Sequence, residues 1–162
     1  MKPLKPDVMA TGTLIDSVNG DMDNGSTVLE PRRAQKSGTS TATPITAGSA
    51  ALLRQYYTEG FYPTGVANVI DEHIPTGPLM KATLINGAGI DGGHFNKGIG
   101  WGRVNLSNSL MFDDSNKQLR AWELVNKNGM KTGESITFKL GVKAGQSLAI
   151  TLTWYDVSGP FG

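Results

Sequence analysis

The stretch that decides the fold is Ser37-Gly38-Thr39-Ser40-Thr41-Ala42-Thr43-Pro44-Ile45-Thr46-Ala47-Gly48-Ser49-Ala50-Ala51-Leu52-Leu53. It reads as a tight loop that opens directly into a buried helix. Gly38 allows a backbone turn that other residues resist. Ser40 and Thr41 are good N-terminal caps, and Pro44 suits a first helical turn. From Ile45 onward the run is small and apolar on nearly every face, the pattern of a helix inside a core. The Ser40 hydroxyl is thereby expected where unpaired backbone N–H groups converge, a ready site for a developing negative charge.

Gly38-Thr39-Ser40-Thr41-Ala42-Thr43-Pro44 followed by Ala47-Gly48 resembles the nucleophile motif of the subtilisin-like serine proteases. That motif is Gly-Thr-Ser-x-Ala-[Thr/Ser]-Pro, then x-x-Ala-Gly. The position after the serine is commonly Met in the family and is Thr41 here. Lys5-Pro6-Asp7-Val8-Met9-Ala10-Thr11-Gly12 resembles the family segment Lys-Pro-Asp-[Val/Ile]-x-Ala-Pro-Gly that precedes the nucleophile loop, with Thr11 in place of the proline. Gly98-Ile99-Gly100-Trp101-Gly102-Arg103-Val104-Asn105-Leu106 resembles the element that closes the catalytic domain. Its glycines do not make a dinucleotide fingerprint: the spacing is wrong, no strand of adequate length precedes it, and no long helix follows. Pro75-Thr76-Gly77-Pro78-Leu79-Met80-Lys81-Ala82-Thr83-Leu84-Ile85 resembles helix wording from a branch that carries a C-terminal β domain.

The resemblance implies an α/β fold in two parts. Residues 1–112 would be the C-terminal portion of a subtilisin-like parallel-sheet domain with a buried nucleophile helix. Residues 113–162 would be the start of a β-sandwich or jelly-roll domain. It also implies a serine endopeptidase acting on peptides and proteins. Ser40 would be the nucleophile and its own backbone N–H an oxyanion donor, with Thr39 and Gly38 in support. The family's Asp, His and oxyanion-hole Asn lie ahead of the serine in the chain. Neither the Asp nor the His motif is found in these 162 residues. The expectation is therefore a fragment, inactive alone, whose partner is the remainder of the protease domain upstream. The alternative is a non-catalytic relative that serves binding or structure. The family allows calcium and implies the secretory pathway; no cofactor is otherwise expected.

Composition agrees with a soluble globular class, at 38% hydrophobic and 18% charged residues. A net charge of +1 gives no argument for nucleic acid or an acidic membrane surface. The absence of Cys excludes disulfides, thiol catalysis and Cys-ligated zinc. No apolar run reaches the ~18 residues of a membrane-spanning helix, and the N-terminus lacks the apolar core of a signal peptide. Tripeptides Asn24-Gly25-Ser26 and Asn105-Leu106-Ser107 match glycosylation sequons.

Along the chain, Val8-Met9-Ala10 suits a buried strand and Thr11-Gly12 a turn. Residues 19–37 read as polar and irregular. Asp21 and Asp23 fail the spacing of a calcium loop, and Glu30-Pro31-Arg32-Arg33 with Lys36 reads as a solvated loop before Ser40. The nucleophile helix is expected over 41–58, with Gly60 as a left-handed cap. Asn68 to His73 suits a short helical turn. His73 follows the serine and lacks the family's His-Gly-Thr context, so it reads as a surface-loop histidine. His94 reads as a loop residue too. A second helix is expected over 76–88, capped by Thr76, and a short third after Asn105 over Leu106–Met111. Period-2 alternation over Glu134–Leu140 and Leu148–Trp154, joined by a turn at Lys143–Gln146, predicts two strands. Asp156 alone is a thin basis for a calcium site.

Overall fold

A computed structural model describes residues 5–19, 32–89 and 95–155. Asp21, Asp23, the sequon at 24–26, Glu30-Pro31, His94 and Asp156 lie outside the described residues. Among those described, the elements are strands β1 (Ile15–Asn19) and β2 (Arg32–Lys36), then helices α1 (Thr39–Thr58), α2 (Gly77–Asn86) and α3 (Leu106–Ser109).

Helix α1 ends as its sequence requires. Gly60 takes φ +69°, and the N–H groups of Glu59 and Gly60 donate to the carbonyls of Gln55 and Tyr57. A Cβ on Gly60 would fall 1.9 Å from the Asn68 carbonyl oxygen, so close approach and left-handed backbone demand glycine together. Asn68 then caps the 3-10 turn Val69–Asp71 by accepting from the Ile70 N–H.

The core lies on the C-terminal half of α1. Leu53, Tyr56 and Tyr57 pack against Leu79 and Leu84 of α2 and Leu110 just past α3. Both tyrosine hydroxyls find partners: Tyr57 Oη lies 3.1 Å from Thr83 Oγ1, and Tyr56 Oη donates to the Met111 carbonyl at 2.7 Å. Burial pushes the Tyr57 phenol up to about 12, so it stays neutral. Helix α2 starts on the Thr76 side chain, which accepts from the Leu79 N–H. Pro78 sits in its first turn, where a missing N–H costs nothing. Its C-cap Gly87 touches α3, for a Cβ there would lie 2.1 Å from Ser109 Oγ. Helix α3 is capped by Asn105, whose Oδ1 accepts from the Asn108 N–H. It is shorter than expected, because Leu110 and Met111 leave it to enter the core.

Three expectations are corrected. First, α1 is not buried along its length. Ile45 is 38% and Leu52 54% exposed, and a Cβ on Gly48 would meet nothing within 4 Å. The small-residue face is there, but no strand among the described residues covers it. Second, residues 32–36 are not irregular. Strand β2 pairs antiparallel with β1, Ile15 opposite Lys36 and Asn19 opposite Arg32. Arg-Arg-Ala-Gln-Lys carries no apolar alternation, so the ladder here is a backbone matter. Third, no parallel sheet forms among the described residues. The Val8–Ala10 strand is reduced to one parallel bridge, Met9 to Arg103, with Gly89 on the other side of Arg103.

Beyond α3, residues 134–140 and 148–154 carry no strand ladder. Ile136, Phe138, Leu148, Ile150, Leu152 and Trp154 are exposed. The alternation is present, but the partner strands that would give it a ladder are not among the described residues. The turn is realised, with the Gln146 N–H donating to Lys143 and Gly145 at φ +80°. The C-terminal part leans on α2: Asn86 Nδ2 donates to Thr151 Oγ1 at 3.0 Å, and Thr153 Oγ1 to the Pro78 carbonyl at 2.5 Å.

Candidate active site

The loop before α1 is built from two glycines. Gly38 has φ +147°, a conformation L side chains rarely adopt. Its N–H donates to the Gly12 carbonyl at 2.7 Å. In return, a Cβ on Gly12 would fall 2.8 Å from the Gly38 carbonyl oxygen, so that approach also depends on glycine. One residue earlier, Ser37 Oγ accepts from the Leu14 N–H at 2.9 Å. Gly12 and Leu14 thus anchor the loop at two points.

Helix α1 begins at Thr39, with Gly38 as N-cap and no side-chain capping bond. Ser40 and Thr41 are therefore not caps, as their residue types suggested. They already lie inside the first turn, behind the position from which a side chain reaches the free N–H groups. Thr41 turns its hydroxyl back instead, donating to the Gly38 carbonyl at 2.6 Å, with Gly12 O at 3.2 Å. This is the one visible use of the Thr that stands where Met is common. Pro44 likewise falls one turn later than expected. It deprives the Ser40 carbonyl of its helical donor. Thr43 Oγ1 donates to the Thr39 carbonyl at 2.9 Å, so the neighbouring hydroxyl is held on the helix.

Ser40 is exposed at this helix mouth. The first N–H groups to enter the helical ladder are those of Thr41 and Ala42, both donating to Gly38. Those of Thr39 and Ser40 precede it, and their positive dipole end faces the same side as the chain entry. A hydroxyl, an N–H donor and a rigid support coincide here: Ser40 Oγ, Ser40 N–H and the Gly38–Gly12 contact. Thr39 and Gly38 directly precede Ser40, as N1 residue and N-cap of α1. What the sequence reading missed is Gly12 as the loop's anchor. Its signal was the Thr11-Gly12 pair itself, read only as a turn.

We expect Gly38→Ala to cost about 1–3 kcal/mol in backbone strain. Comparing urea midpoints of the variant and the parent checks this; equal midpoints would mean that the left-handed turn is not enforced.

No general base accompanies Ser40 among the described residues. His73 donates its backbone N–H to the Tyr57 carbonyl at 3.0 Å, near the far end of α1. About 25 Å of helix separates that point from Ser40. Its imidazole Nε2 pairs with the Glu123 carboxylate. No group of three or more His, Cys, Asp or Glu that could hold a metal occurs among the described residues.

The motif around Asp7 is also placed. Burial alone would push its carboxyl up, but Lys5 and Lys81 outweigh this and hold it below the usual carboxylate range. Lys81 Nζ lies 2.9 Å away on α2. The Asp7 carbonyl accepts from the Trp101 N–H at 2.8 Å. Gly100, at φ +64°, comes so close that a Cβ would lie 2.4 Å from the Pro6 carbonyl oxygen. The first and last resemblance segments therefore meet in space.

Comparison with known proteins gives the family. A family model described as the subtilase family matches residues 1–102. Three proteins of Dictyostelium discoideum, each named serine protease/ABC transporter B family protein, are similar to this chain. TagD is 28% identical over 93% of this chain and 10% of its own length. TagB is 31% identical over 70% of the chain and 7% of its own length. TagA is 28% identical over 96% of the chain and 10% of its own length. The chain thus spans a tenth or less of the length of these relatives.

Proposed function

Since this chain belongs to the subtilase family, we propose that it supplies the nucleophile of a serine endopeptidase, with Ser40 attacking the peptide bond. The observation that supports this is the position of Ser40 in the first turn of α1, behind a loop fixed by Gly38 and Gly12.

In this reading Ser40 Oγ adds to the scissile carbonyl carbon, and its proton passes to a histidine outside these residues. The carbonyl oxygen becomes an oxyanion, and the Ser40 N–H donates to it. The C–N bond then breaks, and the leaving amine takes the proton from the same histidine. Water hydrolyses the resulting ester by the reverse sequence, freeing Ser40. Thr39 and Gly38 hold the serine in place; neither exchanges a proton. The Asp, His and oxyanion-hole Asn come from the part of the protease domain that completes the triad. Residues 113–162 are assigned to a β-sandwich domain, on the period-2 alternation of Glu134–Leu140 and Leu148–Trp154 and on the resemblance to subtilases that carry such a domain after the protease part.

The consequence is an inactive piece. Losing one oxyanion donor costs about 10²–10³-fold, and losing the base costs more. The 162-residue chain alone should give no cleavage of a fluorogenic peptide above the buffer rate, while the intact protein cleaves it. Turnover by the isolated chain would contradict the proposal, as would an intact protein with no peptidase activity.

A further inference from the structure

After α3 the chain crosses the core as a strap. Leu119, Ala121 and Glu123 alternate inward, while Arg120, Trp122 and Leu124 face out. Leu119 and Ala121 pack on the core cluster. Residue 121 is also held through its backbone, its N–H donating to Tyr62 Oη at 2.9 Å. The third inward position should be apolar by this pattern, and it is a carboxylate.

Glu123 is heavily engaged there, its side chain only 13% exposed. Oε1 accepts from the Thr76 N–H at 2.8 Å and from Thr76 Oγ1 at 2.5 Å. Oε2 pairs with His73 Nε2. Thr76 is the N-cap of α2. His73 belongs to the connection whose N–H closes on Tyr57 at the end of α1. One carboxylate therefore ties the strap to both large helices.

We propose that Glu123 is an acid-opened latch that fastens the segment after α3 to the helices α1 and α2. The groups facing it are His73 and Thr76 from the α1–α2 connection and Tyr57 from α1. Arg54 of α1 and Glu72 of the connection line the cleft beside His73. Burial alone would push the Glu123 carboxyl up. The Thr76 hydroxyl, the Thr76 N–H and His73 together outweigh that and hold it below the usual carboxylate range. A lowered carboxylate stabilises the closed form fully above its ordinary value, and that stabilisation is lost as pH falls through the lowered value. Once protonated, Glu123 keeps neutral hydrogen bonds but loses the charge-assisted ones, which are roughly twice as strong. Tyr57 titrates far above this range and takes no part.

Hydrogen exchange on the intact protein tests the latch at the Thr76 amide, with the Leu53 amide as internal reference. At neutral pH, Glu123→Gln should lower Thr76 protection about tenfold or more relative to Leu53. In the parent, acid should erase the same protection ahead of Leu53; in the Gln variant the ratio should be flat with pH. His73→Phe keeps a ring beside Tyr57 and removes the charge partner. It should lower Thr76 protection in part and move the acid opening of the parent to higher pH, which gives a reading even where the Gln variant does not fold. Unchanged Thr76 protection in the variants would overturn the latch. So would a parent in which Thr76 and Leu53 lose protection together on acidification.

Discussion

Replacing Ser40 by Ala in the intact protein should lower kcat/KM on a peptide substrate by about 10⁴-fold or more, a magnitude carried over from subtilisin and related enzymes. Stability should hardly change. Ser40 is exposed, and the loop around it is fixed by Gly12, Gly38 and the Thr41 hydroxyl, not by the serine side chain. On the proposed mechanism the effect is large because a serine nucleophile acts as a unit with its base and oxyanion donors, so nothing in such a site replaces it. Steady-state kinetics together with a thermal melt separates the two quantities. A variant that keeps more than a few per cent of activity would remove Ser40 from the mechanism.

Tyr57→Ala should be the most destabilising single change in the core, by about 3–5 kcal/mol. Tyr57 is fully buried, stands between α1 and α2, and makes ring contacts with Tyr56 and Tyr62. Its backbone carbonyl also receives the His73 N–H. Truncation opens a large cavity at the junction and leaves Thr83 Oγ1 without its phenol partner. Tyr57→Phe keeps the ring and should cost only about 1 kcal/mol, the share of one hydrogen bond. Denaturant midpoints of the intact protein measure both. Equal losses in the two variants would show that the hydroxyl, not the packed ring, carries the stability.

The helices were legible because their signals are local. The sequence predicts Gly60 as a left-handed cap and Thr76 as an N-cap, and of the expected apolar run Leu52, Leu53, Tyr56 and Tyr57 the last three are buried while Leu52 is exposed. The serine motif was legible for the same reason: loop glycine, serine and small-residue helix lie within a few residues. What escaped the sequence depends on partners. Arg32–Lys36 forms a strand because β1 lies alongside, and nothing in its own composition says so. Residues 134–140 have the alternation of a strand without a ladder, since strand preference expresses contacts with neighbours more than a backbone bias. The small-residue face at Ala47 and Gly48 announces close packing, yet no described element supplies the other side. Glu123 was invisible for a further reason. A single carboxylate in an alternating segment reads as a solvated side chain, and its burial follows only from the meeting of three distant stretches.

The most direct measurement is covalent labelling of the serine with a fluorophosphonate, followed by peptide mapping. Activated serines react with such a probe and resting hydroxyls do not, so it reports the base and the nucleophile together. The intact protein should be labelled on Ser40, Ser40→Ala should not be labelled, and the 162-residue chain alone should stay unlabelled. Label on Ser40 of the isolated chain, or on another residue of the intact protein, would contradict the account that Ser40 is the nucleophile and that its base lies outside these residues.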